Sequence, residues 1–158
     1  MNVSPLIRSF GFILCAVLLT LLVGLGLYSC EVSSARYSSY ADAAYVGALG
    51  AYKWLPSLIP STATAIRESH DVDSNEVWFT FGFENGFDPL QHSCTATTRG
   101  AISMRIPHRW DRFPKFVKIA RNEIANTEMQ LYACQGDSFP FFLALNRKER
   151  RAIGWSKK

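Results

Sequence analysis

Residues 76–84 read EVWFTFGFE, and they decide how the rest of the chain is parsed. Val77, Phe79, Phe81 and Phe83 occupy every second position, with Trp78, Thr80 and Glu84 between them. A period of two places the first set on one face of a β-strand and the second on the other. Just before lies Asp71-Val72-Asp73-Ser74-Asn75, a run of turn formers. Before that, Ala65–His70 supplies a second arm. The stretch 65–84 therefore predicts a β-hairpin. Asn85-Gly86 and Asp88-Pro89 end it with further turn signals.

Working outward, further strands are expected over Ala101–Ile106, with Ile102, Met104 and Ile106 inward, and over Met129–Gln135 and Phe139–Leu145. Between the first two, Pro114 opens a helix at a favoured first position. Its apolar stripe is Phe113, Val117, Ala120 and Ile124. On the N-terminal side, Tyr37, Tyr40, Ala41, Ala44, Tyr45, Ala48, Leu49 and Tyr52 recur at helical spacing. Gly47 and Gly50 weaken that helix, and Pro56 stops it. This order of helices and strands with short connections predicts an α+β domain. Its sheet is mostly antiparallel, with about 4–5 strands and two main helices on one face.

Composition bounds the rest. Hydrophobic residues make up 48% of the 158-residue chain and charged residues 19%. The apolar excess is concentrated in Phe10–Tyr28, nineteen residues without a charge. As a helix the segment would span about 28 Å, close to the hydrocarbon thickness of a bilayer. Phe10, Leu14, Leu18, Leu22 and Leu27 would form its membrane anchor. Arg8 and the amino terminus before it, and Glu31, Arg36 and Asp42 after it, give a slight positive-inside bias, N-terminus in the cytoplasm and domain outside. The exit, Leu27-Tyr28-Ser29-Cys30, resembles a bacterial lipobox, in which Cys30 would be lipidated; Tyr28 departs from that pattern. Two other readings stand beside it: an uncleaved single-pass helix, and cleavage after Ala35. All three translocate the domain. The expected organisation is an anchor over 1–30, a linker over 31–36, the domain over 37–146 and a basic, partly ordered tail over 147–158.

Charge is unevenly spread. Residues 31–96 carry a net −5 and residues 97–158 a net +8 within an overall +4. The run His108-Arg109-Trp110-Asp111-Arg112-Phe113-Pro114-Lys115-Phe116 makes Arg109, Arg112, Lys115 and Lys118 a candidate basic contact surface for lipid head groups or an acidic partner. Outside a membrane, nucleic acid is not the expected partner. The alternative is an ordinary helix entry with solvated cations.

Cys94 and Cys134 are the two cysteines of the domain, and in an exported protein they are candidates for a disulfide. Asp71, Asp73 and Asn75 begin like a calcium loop, but the pattern fails at Glu76, where glycine is needed, and at Gly82, where glutamate is needed. An acidic turn explains them as well. His70, His92 and His108 stand singly, and none of the familiar nucleophile, zinc or phosphate motifs is present. No catalytic residue and no cofactor is read from the sequence.

The stretch Trp54–Phe83 resembles a group of small bacterial exported proteins, many of them described as lipoproteins, with domains likened to the YbbD head domain. The likeness rests on Trp54-Leu55-Pro56, on Ile59-Pro60-Ser61 with Ala63 and Ile66, and on Asp71, Asp73, Asn75, Glu76 and Trp78 leading into Phe79 and Phe81. Many members have glycine where this chain has Lys53. The resemblance implies a cell-envelope location and a small α+β domain, and no assigned reaction. The expected function is an anchored envelope module that binds membrane lipid through its N-terminal segment and another envelope protein through its domain. The alternatives are a hydrolase or metal-dependent enzyme with an unrecognised site, and an immunity-type lipoprotein.

Overall fold

The computed structural model describes Val17, Thr20, residues 32–104, 106, 107 and 109–157. Phe10, Leu14, Leu18, Leu22, Leu27, Cys30 and His108 lie outside the described residues. Among the described residues, no helix is long and apolar enough to cross a membrane. The chain divides into Met1–Glu31 and Val32–Lys158, and the second unit is the domain.

The domain is built on one seven-stranded antiparallel sheet: β1 (Val32–Ser39), β2 (Thr64–Asp71), β3 (Glu76–Gly82), β4 (Cys94–Thr97), β5 (Gln130–Gln135), β6 (Pro140–Asn146) and β7 (Arg151–Ser156). The spatial order is β1-β2-β3-β7-β6-β5-β4. Two meanders, β1–β3 and β4–β7, thus join where β3 pairs with β7, with Phe79 opposite Gly154 and Trp78 opposite Trp155. The hairpin expected around residue 76 is β2–β3, with Asp71 opposite Glu76.

Strand alternation sorts the core into two layers. On one face Ile66, Val77, Phe79, Phe81, Phe141, Leu143 and Ala152 are buried beneath the loop residues Leu55, Leu58 and Ile59. On the other, Trp78, Phe142, Ala144, Ile153 and Trp155 meet Phe113, Phe116, Val117, Ala120 and Ile124. The last four belong to α2 (Lys115–Asn126); Val117, Ala120 and Ile124 are as the sequence spacing predicts, while Phe113 lies before the helix and Phe116 joins the buried face instead. Pro114 stands just outside, as its N-cap.

Several expectations are corrected. The sheet has seven strands rather than four or five. The stretch 31–36 is not a linker, because Val32–Ser39 pairs with β2 as an edge strand. Residues 151–156 are not a tail: β7 pairs with β3 and β6 in the middle of the sheet. Ala101–Ile106 is not a strand among its described residues. Instead, Ile102 and Met104 pack on the α2-side core, and the carbonyl of Ser103 accepts from Trp155 Nε1 at 3.1 Å.

The N-terminal helix is also shorter than the tyrosine spacing implies. It is α1 (Tyr40–Tyr45), capped by Ser39, whose hydroxyl accepts from Asp42 N at 3.2 Å. The chain turns out of the helix at Gly47, where φ is +66°. A glycine takes that left-handed conformation without the penalty a side chain brings. Because Ala43 of α1 belongs to the first core layer and α2 to the second, the two helices lie on opposite faces of the sheet rather than on one.

Candidate functional site

Beyond Gly47 the chain folds into a compact loop. Gly50 N donates to Leu55 O at 2.9 Å and Lys53 N to Gly50 O at 3.1 Å. Leu55 is fully buried and fixes the loop to the sheet. The loop thereby brings Trp54 over β2, where the indole stacks on His70 with ring centroids 4.1 Å apart and planes 11° apart.

His70 and Glu68 are two residues apart on one strand and therefore share a face. His70 Nδ1 lies 2.8 Å from Glu68 Oε2, so the imidazole N–H donates to the carboxylate. Both residues are buried, 8% and 5% exposed. Burying a carboxylate in a low-dielectric layer is unfavourable unless hydrogen bonds compensate, and the imidazole supplies one. Tyr37 on β1 stands beside them. Burial, and then the charge of Glu68, push its phenol above the ordinary tyrosine range.

Tyr37, Lys53, Trp54 and Glu68, with Gly47 and Tyr52, line a depression of about 300 Å³. A second depression, about 460 Å³, lies on the other side of the same segment between Tyr52, Trp54, Asn75 and Phe139. Around them three apolar side chains are held in solvent: Tyr45 is 93% exposed, Val46 61% and Tyr52 98%. One continuous helix at the tyrosine spacing would put Tyr45 and Tyr52 on a shared apolar face toward the core. They leave it because α1 ends at Tyr45 and Tyr52 sits in a turn at φ +61°.

The sequence singled out His70 but not its partner. The signal was present as Glu68-x-His70 on a strand, a spacing that puts a carboxylate and an imidazole side by side. His92 is exposed, with its ring 6.2 Å from that of Phe87.

The other sequence candidates fall elsewhere. Cys94 and Cys134 are directly opposite on β4 and β5 and are joined by a disulfide. Asp71 closes the β2–β3 turn, its Oδ1 accepting from Asp73 N at 3.0 Å and from Ser74 N at 3.4 Å. Arg109 crosses to the same turn, 2.8 Å from Asp73 Oδ2 and 3.7 Å from Asp71 Oδ1. The acidic turn is therefore held by backbone amides and a guanidinium, and Asn75 follows it at φ +53°. Lys118 Nζ donates to Asp111 O at 3.3 Å. Arg112 and Lys115 are exposed at the entry to α2.

Residues 31–82 match the family model of the YbbD head domain. The matched stretch takes in β1, α1, β2 and β3, and with them Tyr37, Trp54, Glu68 and His70. No curated protein and no solved structure matches the chain.

Proposed function

We propose that the protein is a membrane-anchored module of the bacterial cell envelope whose domain, outside the cytoplasm, docks another envelope protein without catalysing a reaction. The anchor is the apolar segment Phe10–Tyr28, kept as a helix or replaced by a lipid on Cys30. The observation that carries the docking surface is the exposed trio Tyr45, Val46 and Tyr52 around the Trp54 depression. Large side chains held this far into water on two turns contribute little to folding, whereas tyrosine and tryptophan dominate the centres of protein interfaces. The disulfide between Cys94 and Cys134 supports an oxidising, extracytoplasmic setting.

The experiment is recovery of the full chain in mild detergent with whatever it holds. A stoichiometric protein partner is expected with the wild type. It is expected to be lost in a Tyr45→Ser, Tyr52→Ser variant that unfolds at the wild-type temperature. A clean monomer, or a partner retained by that variant, would sink the proposal.

A catalytic reading has one observation in its favour, the Glu68–His70 pair beneath a depression. It requires a hydrolytic turnover that His70→Gln abolishes. An immunity role would instead show as neutralisation of a toxin encoded beside the gene.

A further inference from the structure

We infer that the groove between α2 and the uncovered β1–β2 margin of the sheet binds a phosphoryl group. Helix α2 covers the face that carries Ile153 and Trp155, and the same face continues onto β2 and β1. There Arg36 and Arg67 are direct cross-strand partners, and Arg67 is opposite Thr80 on β3. A depression of about 350 Å³ opens at this margin, lined by Arg67, Arg150 and Arg151 with Phe116 and Ile119 on its helix side.

The charges there are not explained by the fold. Like charges directly opposite on neighbouring strands repel. Arg151 is matched by Glu123 at 2.6 Å. Among the described residues Arg36, Arg67 and Arg150 have no ion-pair partner, and the acidic side chain lining the depression is Glu149. Arg67 and Arg150 line the depression against the one carboxylate of Glu149, which leaves one positive charge in its wall, and Arg36 stands beside Arg67 on the neighbouring strand. That surplus of guanidinium suits a phosphoryl group, whose oxygens accept the forked N–H pairs of arginine. The backbone points the same way. Ala65, at the bulge that precedes Arg67, is held at φ +50° and lines the same depression. Left-handed backbone at a residue with a Cβ is unfavourable, and such strain collects at binding sites. Ile119, half exposed on the rim, suits an apolar group next to the phosphoryl centre.

The site differs from the basic surface read from the sequence, since Arg109 is drawn to the Asp71–Asp73 turn. It also lies on the opposite face of the sheet from Trp54, so it stands or falls independently of the protein-docking surface.

The test uses the full chain in a maltoside detergent, titrated with inorganic phosphate, glycerophosphoglycerol or chloride at constant ionic strength, with the unfolding temperature and amide NMR shifts as readouts. Phosphate is expected to raise the unfolding temperature and to shift resonances of 65–67, 116–119 and 150–151. Arg67→Gln and Arg150→Asn should each weaken it about tenfold, the loss of one charge-assisted contact; Lys53→Gln, on the other face, should not. Without phosphate, Arg36→Gln should unfold at a higher temperature than the wild type. Tighter binding of phosphate than of glycerophosphoglycerol identifies a phosphomonoester ligand, and the reverse identifies a lipid head group. Shifts no larger than those with chloride, or equal affinity in Arg67→Gln and the wild type, overturn the proposal.

Discussion

The indole of Trp54 lies flat on the imidazole of His70, 4.1 Å between centroids, and so covers one side of the Glu68–His70 hydrogen bond. The ring does two things at once: it attaches the 46–55 loop to β2, and it keeps the carboxylate–imidazole pair in a medium where that pair is strong. Trp54→Ala should remove both. The expected loss is about 2–3 kcal/mol, below that of a fully buried indole because Trp54 is only half buried. Trp54→Phe should lose less than half as much. Urea midpoints of the two variants check this.

Tyr37 gives the site a pH signature. Its phenol is held above 10.0 by burial first and by Glu68 second. A raised acid is favoured in its neutral form when folded. Its contribution is therefore full below the unfolded value and is lost as pH rises from there through the folded value. Urea midpoints taken at about pH 9 and about pH 11 should fall less in Tyr37→Phe than in the wild type. Glu68→Gln should lower the Tyr37 titration seen by ultraviolet absorbance, though not to the free-tyrosine value, since burial remains.

Reduction of Cys94–Cys134 frees a loop of sequence separation 40. The chain-entropy estimate for that loop is about 4 kcal/mol. A Cys94→Ala, Cys134→Ala variant should lose up to this amount in urea unfolding. The wild type in excess dithiothreitol should approach the same midpoint. An unchanged midpoint would show that the cross-strand pair, which also has the β4–β5 ladder around it, adds nothing.

Gly154 is the narrowest point of the sheet. A Cβ there would lie 2.0 Å from Cζ of Phe79, inside the ring's own volume. Because Phe79 is fully buried between β2 and β7, its ring has nowhere to move. Gly154→Ala should cost about 3 kcal/mol, the upper range for overpacking a core. Phe79→Leu in the same chain should recover part of it, as a double-mutant cycle would measure.

What could be read from the sequence was what carried a period. Val77, Phe79, Phe81 and Phe83 alternate and share the first core layer, while Trp78 faces the other. Val117, Ala120 and Ile124 recur at helical spacing and are buried on α2. The misses have physical causes. Strand β1 is VSSARYSS, an edge strand with one neighbour, and so needs few apolar residues. Strand β7 is RAIGWS, flanked by charge and broken by a glycine. That glycine, Gly154, is what admits the Phe79 ring to the sheet centre. Of the candidate site, His70 and Trp54 were each visible alone. Their contact was not, because it depends on a loop whose turns at Gly47, Gly50 and Tyr52 no periodicity describes.

The central place of β7 sets an order on the making of the domain. Strand β3 is synthesised long before Arg151–Ser156 and β6 only a short turn before it, yet each has one edge that β7 satisfies. Until that segment has emerged, the chain holds two separate meanders with unpaired backbone edges and exposed aromatic faces. Such partly built sheets fold slowly and invite pairing with other chains. The sheet cannot close until β7 has been made, because it is the strand that joins the two meanders.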